Sequence, residues 1–235
     1  MLYDFFKNPN IQFKQSKSFK DSLKDLFSVF GYAFLCVALN YLIVSFIDFI
    51  ITSTKHFSFI TAIDKAQNVA STEKNILFFL VIAPVIEELI FRLPLKASRL
   101  NIFISFILAY YLFYLSHKTF QSIVNINESI KFLTFSLICY SLLYKVNTKF
   151  YYTFSGKYFT AYFYLLTITF GLLHLSNFIH LVPDNLILFA PIFVIHQIIV
   201  GFFLGYLRLK RGLFWSILMH TMLNVLPTIG YFIKK

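Results

Sequence analysis

Two glutamates stand side by side in the apolar run from Val81 to Arg92, which reads Val-Ile-Ala-Pro-Val-Ile-Glu-Glu-Leu-Ile-Phe-Arg. A charge in hydrocarbon costs about 2.5–3.5 kcal/mol even on lenient insertion scales, so such residues mark function by default. Helical geometry sorts the pair. Glu88 and Arg92 are four residues apart and share a face, so they can pair. Glu87 points about 100° away and is left for another partner. Pro84 has no N–H to give, which frees the Leu80 carbonyl in an α-helix. Within a membrane that carbonyl needs protein or water beside it.

Three histidines also fall in apolar runs. His174 ends Phe170-Gly-Leu-Leu-His174, and His220 opens His220-Thr-Met-Leu-Asn224, which puts His220 and Asn224 on one helical face. His196 has no such companion and is expected to make a structural interhelical hydrogen bond. Gly201 and Gly205, at small-xxx-small spacing, read as a close helix contact. Glu88–Arg92 alone, or His220–Asn224 alone, would serve as packing glue. An unpaired Glu87 with two histidines and an asparagine from separate spans is a costly set to keep for packing.

Hydrolysis is the chemistry such a set allows. A carboxylate held away from bulk water is a usable general base near neutral pH. Glu87, His174 and His220 have the ligand types that zinc takes. Alternatively, Glu87 and His174 activate water directly while His220 and Asn224 donate to a developing oxyanion. Either arrangement attacks a peptide bond with water and forms no acyl-enzyme. Other routes are closed. There is no His-Glu-x-x-His, no Gly-x-Ser nucleophile motif, and no pair of membrane aspartates, since Asp48 stands alone near a span end.

The elements that must position these residues are membrane helices. The chain of 235 residues is 58% hydrophobic and only 13% charged, with mean hydropathy +0.72, where a soluble domain carries about 25% charged residues. Candidate spans are 28–52, 75–95, 102–117, 131–145, 158–176, 185–207 and 213–233, with polar loops expected at 53–74 and 116–129. Residues 1–27 form an amino-terminal cytoplasmic or interfacial segment, with Phe19, Leu23, Leu26 and Phe27 at helical spacing among lysines. The net charge of +11 sits mostly at the ends of apolar runs. It therefore sets topology and meets lipid headgroups, and nucleic acid is not expected as a partner. The distribution of Lys and Arg favours an amino terminus on the inside. Cys36 and Cys139, both in apolar stretches, supply neither a disulfide framework nor a metal spacing. A transporter would also use buried glutamates and histidines but would show an inverted repeat, and none is visible.

In order, and each within an apolar span, Glu87-Glu88-x-x-x-Arg92, Phe170-x-x-x-His174 and His220-x-x-x-Asn224 resemble the three-motif signature of the CPBP family. That family comprises the CAAX proteases and the bacteriocin-processing or self-immunity proteins, also called Abi. The resemblance covers residues 75–228. It implies an all-α, polytopic membrane bundle of about seven or eight helices, with residues 28–235 as a membrane protease domain. It also implies an intramembrane endopeptidase whose site opens to lipid or cytosol. Glu87 matches the water-activating glutamate, His174, His220 and Asn224 the other site residues, and Glu88 with Arg92 the supporting pair. A divalent metal, zinc, on Glu87, His174 and His220 and a metal-free glutamate mechanism are both implied for such proteins. The partners implied are a peptide or membrane-protein substrate and membrane lipid. A composition rich in Phe, Ile, Lys and Asn fits an AT-rich bacterial genome, hence a multi-pass protein of a bacterial cell membrane. The alternative on the same fold is a non-catalytic immunity or scaffold protein.

Overall fold

A computed structural model describes residues 2–9, 18–73, 76–115, 126–146 and 156–233, and all regular structure among them is helical. Helix α1 (Leu2–Lys7) is short. Helix α2 (Phe19–Lys55) opens on Ser18, whose hydroxyl accepts the Asp21 N–H at 3.4 Å, and closes on His56 in the left-handed conformation. Its 37 residues rise about 55 Å at 1.5 Å each. The segment expected to lie in the interface and the first span are therefore one continuous rod.

The region expected to be a polar loop after this rod is largely helical. Asp48, buried near the end of α2, accepts the Phe59 N–H at 2.7 Å and the Ser58 hydroxyl at 2.8 Å. A carboxylate on free N–H groups is what a helix start needs, and helix α3 (Phe59–Glu73) begins there. The aspartate that stands alone near a span end is thus a cap.

Next comes a π-helical turn, Phe78–Ile82, running straight into α4 (Ala83–Phe91) and a 3₁₀ turn, Leu93–Leu95. Helices α5 (Arg99–Tyr110) and α6 (Ile126–Lys145) follow; residues 116–125 of the second expected loop lie outside the described part. Helix α7 (Phe159–Leu173) gives way to 3₁₀ turns at His174–Asn177, Ile179–Leu181 and Asp184–Val194. Helices α8 (Ile195–Lys210) and α9 (Leu213–Ile233) complete the chain, joined at Gly212, whose φ of 112° suits a residue without a Cβ.

Among the described residues, three helical stretches are long and apolar enough to cross a membrane: Phe19–Lys55, Phe159–Asn177 and Asp184–Lys210. Arg99–Tyr114 and Leu213–Leu226 are shorter apolar helices. Large apolar side chains point outward, including Leu35, Leu42, Phe46 and Phe49 on α2 and Leu133, Leu137 and Leu142 on α6. In water such a surface would aggregate; in a bilayer it meets its solvent.

The centre is α7, α8 and α9 against α2, with Ala33, Phe163, Leu204, Leu207 and Met219 buried. Phe5 of α1 is fully buried in the same cluster, edge-on to Phe163 at 5.3 Å, and Tyr164 donates to the Phe6 carbonyl at 2.5 Å. At one end of the bundle Asp25 of α2 meets Lys210 at 2.9 Å and Arg211 at 2.6 Å. At the other end, α3 and the 3₁₀ turns bury Phe59, Phe178, Val182 and Phe193 with Val44 and Ile51.

Candidate active site

Glu88 is the most enclosed polar group of the set, with no exposed surface. Its carboxylate receives Arg92 Nε at 3.5 Å and His220 Nδ1 at 3.1 Å, and the Ser216 hydroxyl donates to its other oxygen. Ser216 also reaches the Leu204 carbonyl at 3.0 Å. The expected Glu88–Arg92 pair therefore forms, within a larger knot that draws in α8 and α9. Ser216 was missed, although Ser216, His220 and Asn224 recur every four residues on one face of α9, the signal that would have found it.

Arg92 sits under the face of Phe170, its guanidinium carbon 3.9 Å from the ring centroid. Nη1 and Nη2 have no hydrogen-bond partner among the described residues, so the aromatic face supplies their electrostatic contact. Space is tight: a Cβ on Gly201 would come within 2.9 Å of Phe170 and 3.0 Å of Arg92 Nη2. The close helix contact expected of Gly201 is what brings α8 onto this pair.

Side chains from three other helices hold the end of α4. Ser105 of α5 donates to the Leu89 carbonyl at 2.8 Å, Arg208 Nε of α8 to the Arg92 carbonyl at 3.0 Å, and Tyr162 of α7 to the Pro94 carbonyl at 3.3 Å. These carbonyls lie where a helix terminus leaves acceptors without intrahelical donors.

Glu87 lies just outside the knot. Its side chain is 25% exposed, and its Oε2 stands 3.7 Å from His220 Nε2. That exceeds a hydrogen bond, yet a third oxygen placed about 2.8 Å from each would bond to both. His220 thus faces both glutamates, Glu88 through Nδ1 and Glu87 through Nε2.

His174 comes from the end of α7. Its Nδ1 lies 2.9 Å from the Phe170 carbonyl. A carbonyl only accepts, so Nδ1 carries the proton and Nε2 of the neutral ring is a bare lone pair. Glu87 and His220 are both near enough to act on its charge. The rings of His174 and His220 flank Phe170, at 5.0 and 5.8 Å between centroids.

Asn224 makes a contact that its spacing from His220 did not announce. Its Nδ2 donates to the Phe79 carbonyl at 3.2 Å. The π turn explains why Phe79 needs it. There the Ala83 N–H reaches five residues back to Phe78, and the donor due to Phe79 would be Pro84, which has none. The carbonyl freed by the proline is therefore Phe79, one residue before the Leu80 of a plain α-helix. Asn224 fills it, tying α9 to the helix that carries Glu87.

His196 is not isolated. It has His174 for a neighbour. Both histidines line a cavity of about 50 Å³ with Asn177 and Gln197.

Glu87, His174 and His220 carry donor types that zinc accepts, and each ring gives its Nδ1 side to an oxygen, as metal-bound histidines do. Spacing is the misfit. Among the described residues no three His, Cys, Asp or Glu side chains are grouped closely enough to hold an ion.

A family model described as type II CAAX prenyl endopeptidase Rce1-like matches residues 72–226, well over half the chain. The chain belongs to this family. The match runs from the end of α3 past Asn224 and takes in all three motifs. Membership makes the chain a membrane protease of the CAAX type, and with its long apolar helices an integral membrane protein. No curated protein and no solved structure matches it.

Proposed function

We propose that the chain is an intramembrane endopeptidase in which Glu87 takes the proton of the attacking water. The contrast between two adjacent carboxylates carries this reading. Glu88 is sealed and engaged by Arg92, His220 and Ser216, whereas Glu87 is part-exposed and faces His220 across 3.7 Å. His174 Nε2 accepts a hydrogen bond from the water's other O–H and fixes the direction of attack. The water oxygen bonds to the scissile carbonyl carbon, and the carbonyl oxygen becomes an oxyanion facing α9. His220 and Asn224 face it as donors, Asn224 with the N–H not spent on Phe79. Glu87 then passes its proton to the departing amine as the C–N bond breaks.

The substrate class is a peptide or protein segment presented from the membrane, and a prenylated CAAX end, the kind the family description names, is the one to test first. Grouping of Lys96, Arg99, Arg208, Lys210 and Arg211 along the loops next to the Asp25 end supports a multi-pass orientation with that end cytoplasmic. A bacterial cell membrane is the setting proposed.

The test is cleavage of a prenylated reporter peptide by reconstituted protein. Glu87→Gln should slow it by about 10²–10⁴-fold while leaving the melting temperature unchanged. A chelator arm separates the two chemistries, since loss restored by added zinc would assign His174 and His220 to a metal. Wild-type turnover by Glu87→Gln would overturn the enzyme reading and leave the scaffold or immunity protein in its place.

A further inference from the structure

Hydrolysis inside a bilayer needs water at a place from which lipid excludes it. The cavity behind His174 addresses that need. Its polar lining is His174 and Asn177 from the 3₁₀ turn after α7, and His196 and Gln197 from the first turn of α8. Phe178 and Phe193 form part of its apolar wall, and Ile63 and Ala66 line it on the α3 side. At about 50 Å³ it has room for one or two waters, each needing about 30 Å³.

Its amides have no other employment. Neither the Asn177 nor the Gln197 side chain makes a hydrogen bond to a described residue. Polar groups that face a small cavity without protein partners are satisfied by ordered water. Asn177 is exposed at the surface, Gln197 is part-buried, and His174 belongs both to the cavity and to the site facing Glu87. These residues make a graded polar path from outside to the candidate nucleophile position.

We propose that this cavity is the water inlet of the site, with Gln197 and His196 as positioning residues that hand ordered water to His174. The proposal rests on the hydrolytic reading above and adds a direction to it. His196 is 14 residues from Lys210 on one continuous helix, about 21 Å along its axis. Water therefore enters from the α3 end of the bundle, opposite the Asp25–Lys210–Arg211 end.

Cysteine labelling in lipid nanodiscs tests the inlet without relying on activity. Cys36 and Cys139 are first replaced by serine, and Gln197→Cys is compared with Ile168→Cys, an exposed apolar position on α7. A charged, membrane-impermeant thiosulfonate needs a hydrated thiolate, so the cysteine at 197 should react at least about tenfold faster than that at 168. Equal, slow labelling of both would overturn the inlet. In the reporter assay Gln197→Leu, of similar size but unable to hold water, should lower kcat about tenfold or more with KM unchanged, and Gln197→Asn should restore part of the loss. Unchanged kcat in Gln197→Leu, or a rise in KM alone, would also overturn it. Fast labelling at 197 together with an active Glu87→Gln variant would keep the inlet and remove the glutamate reading.

Discussion

The two sides of Phe170 use polar groups in opposite ways. On one side Glu88, Arg92, Ser216 and the Arg92 carbonyl are packed against one another, and Glu88 spends its oxygens on three partners. On the other side Glu87, His174, His196, Gln197 and Asn177 are only partly buried or exposed, and the last two make no hydrogen bond to described protein. A saturated cluster in a low-dielectric interior has little freedom to accept a new partner, but it fixes positions well. An unsaturated one has lone pairs and donors to offer a substrate. The arginine side is thus the anchor, and the histidine side is where chemistry has room.

Breaking the anchor should have the largest effect. Glu88→Ala leaves Arg92 buried with only Phe170 beneath it, and removing one partner of a buried pair costs about 3–5 kcal/mol. Thermal unfolding in detergent should show a large fall in melting temperature or no folded protein, whereas Glu87→Gln should melt as wild type. Equal stability of Glu88→Ala and wild type would erase the distinction between the two sides.

Asn224→Ala should come next. It removes the proposed oxyanion donor, worth roughly 10²–10³-fold in turnover, and leaves the Phe79 carbonyl bare. A turnover loss seen even where the variant melts normally would place Asn224 on the chemical side; loss of stability alone would place it with the anchor.

Gly201→Ala is milder. The added methyl must displace Phe170 or Arg92 Nη2, and such overpacking costs about 1–3 kcal/mol. Because Phe170 lies between His174 and His220, turnover should fall together with stability. Lys210→Ala is the smallest change, since the Asp25 cluster is partly exposed and a pair of that kind contributes about 0–1 kcal/mol. A shift in melting temperature beyond a few degrees would show that this end is also an anchor.

Local spacing made the anchor legible in the sequence, and tertiary structure hid the rest. Glu88 and Arg92 pair because they are one turn apart, and the helical period states that directly. The role of Asn224 depends on whether the turn before Pro84 is α or π, a choice made by packing, so the freed carbonyl was read one residue late. His196 looked solitary because its neighbours come from the far end of α7. Asp48 looked solitary because the helix it caps starts eleven residues on. The match to a known family confirms the overall class but does not assign these roles.

The π turn at Phe78–Ile82 also acts as a phase shifter. It packs one more residue into a turn than an α-helix does, so the segment before it is rotated by about 100° relative to an unbroken helix. Ile76 and Leu77 face outward upstream of it, as does Phe79 within it, while Ile90 and Phe91 are buried downstream. Deleting one residue from the turn, Val81 for example, would leave the upstream face in place, because Phe79 then stands four residues before Pro84 and its carbonyl is still the one without a donor. Straightening the turn without removing a residue would instead swing the upstream side chains by about 100° and take the Phe79 carbonyl away from Asn224.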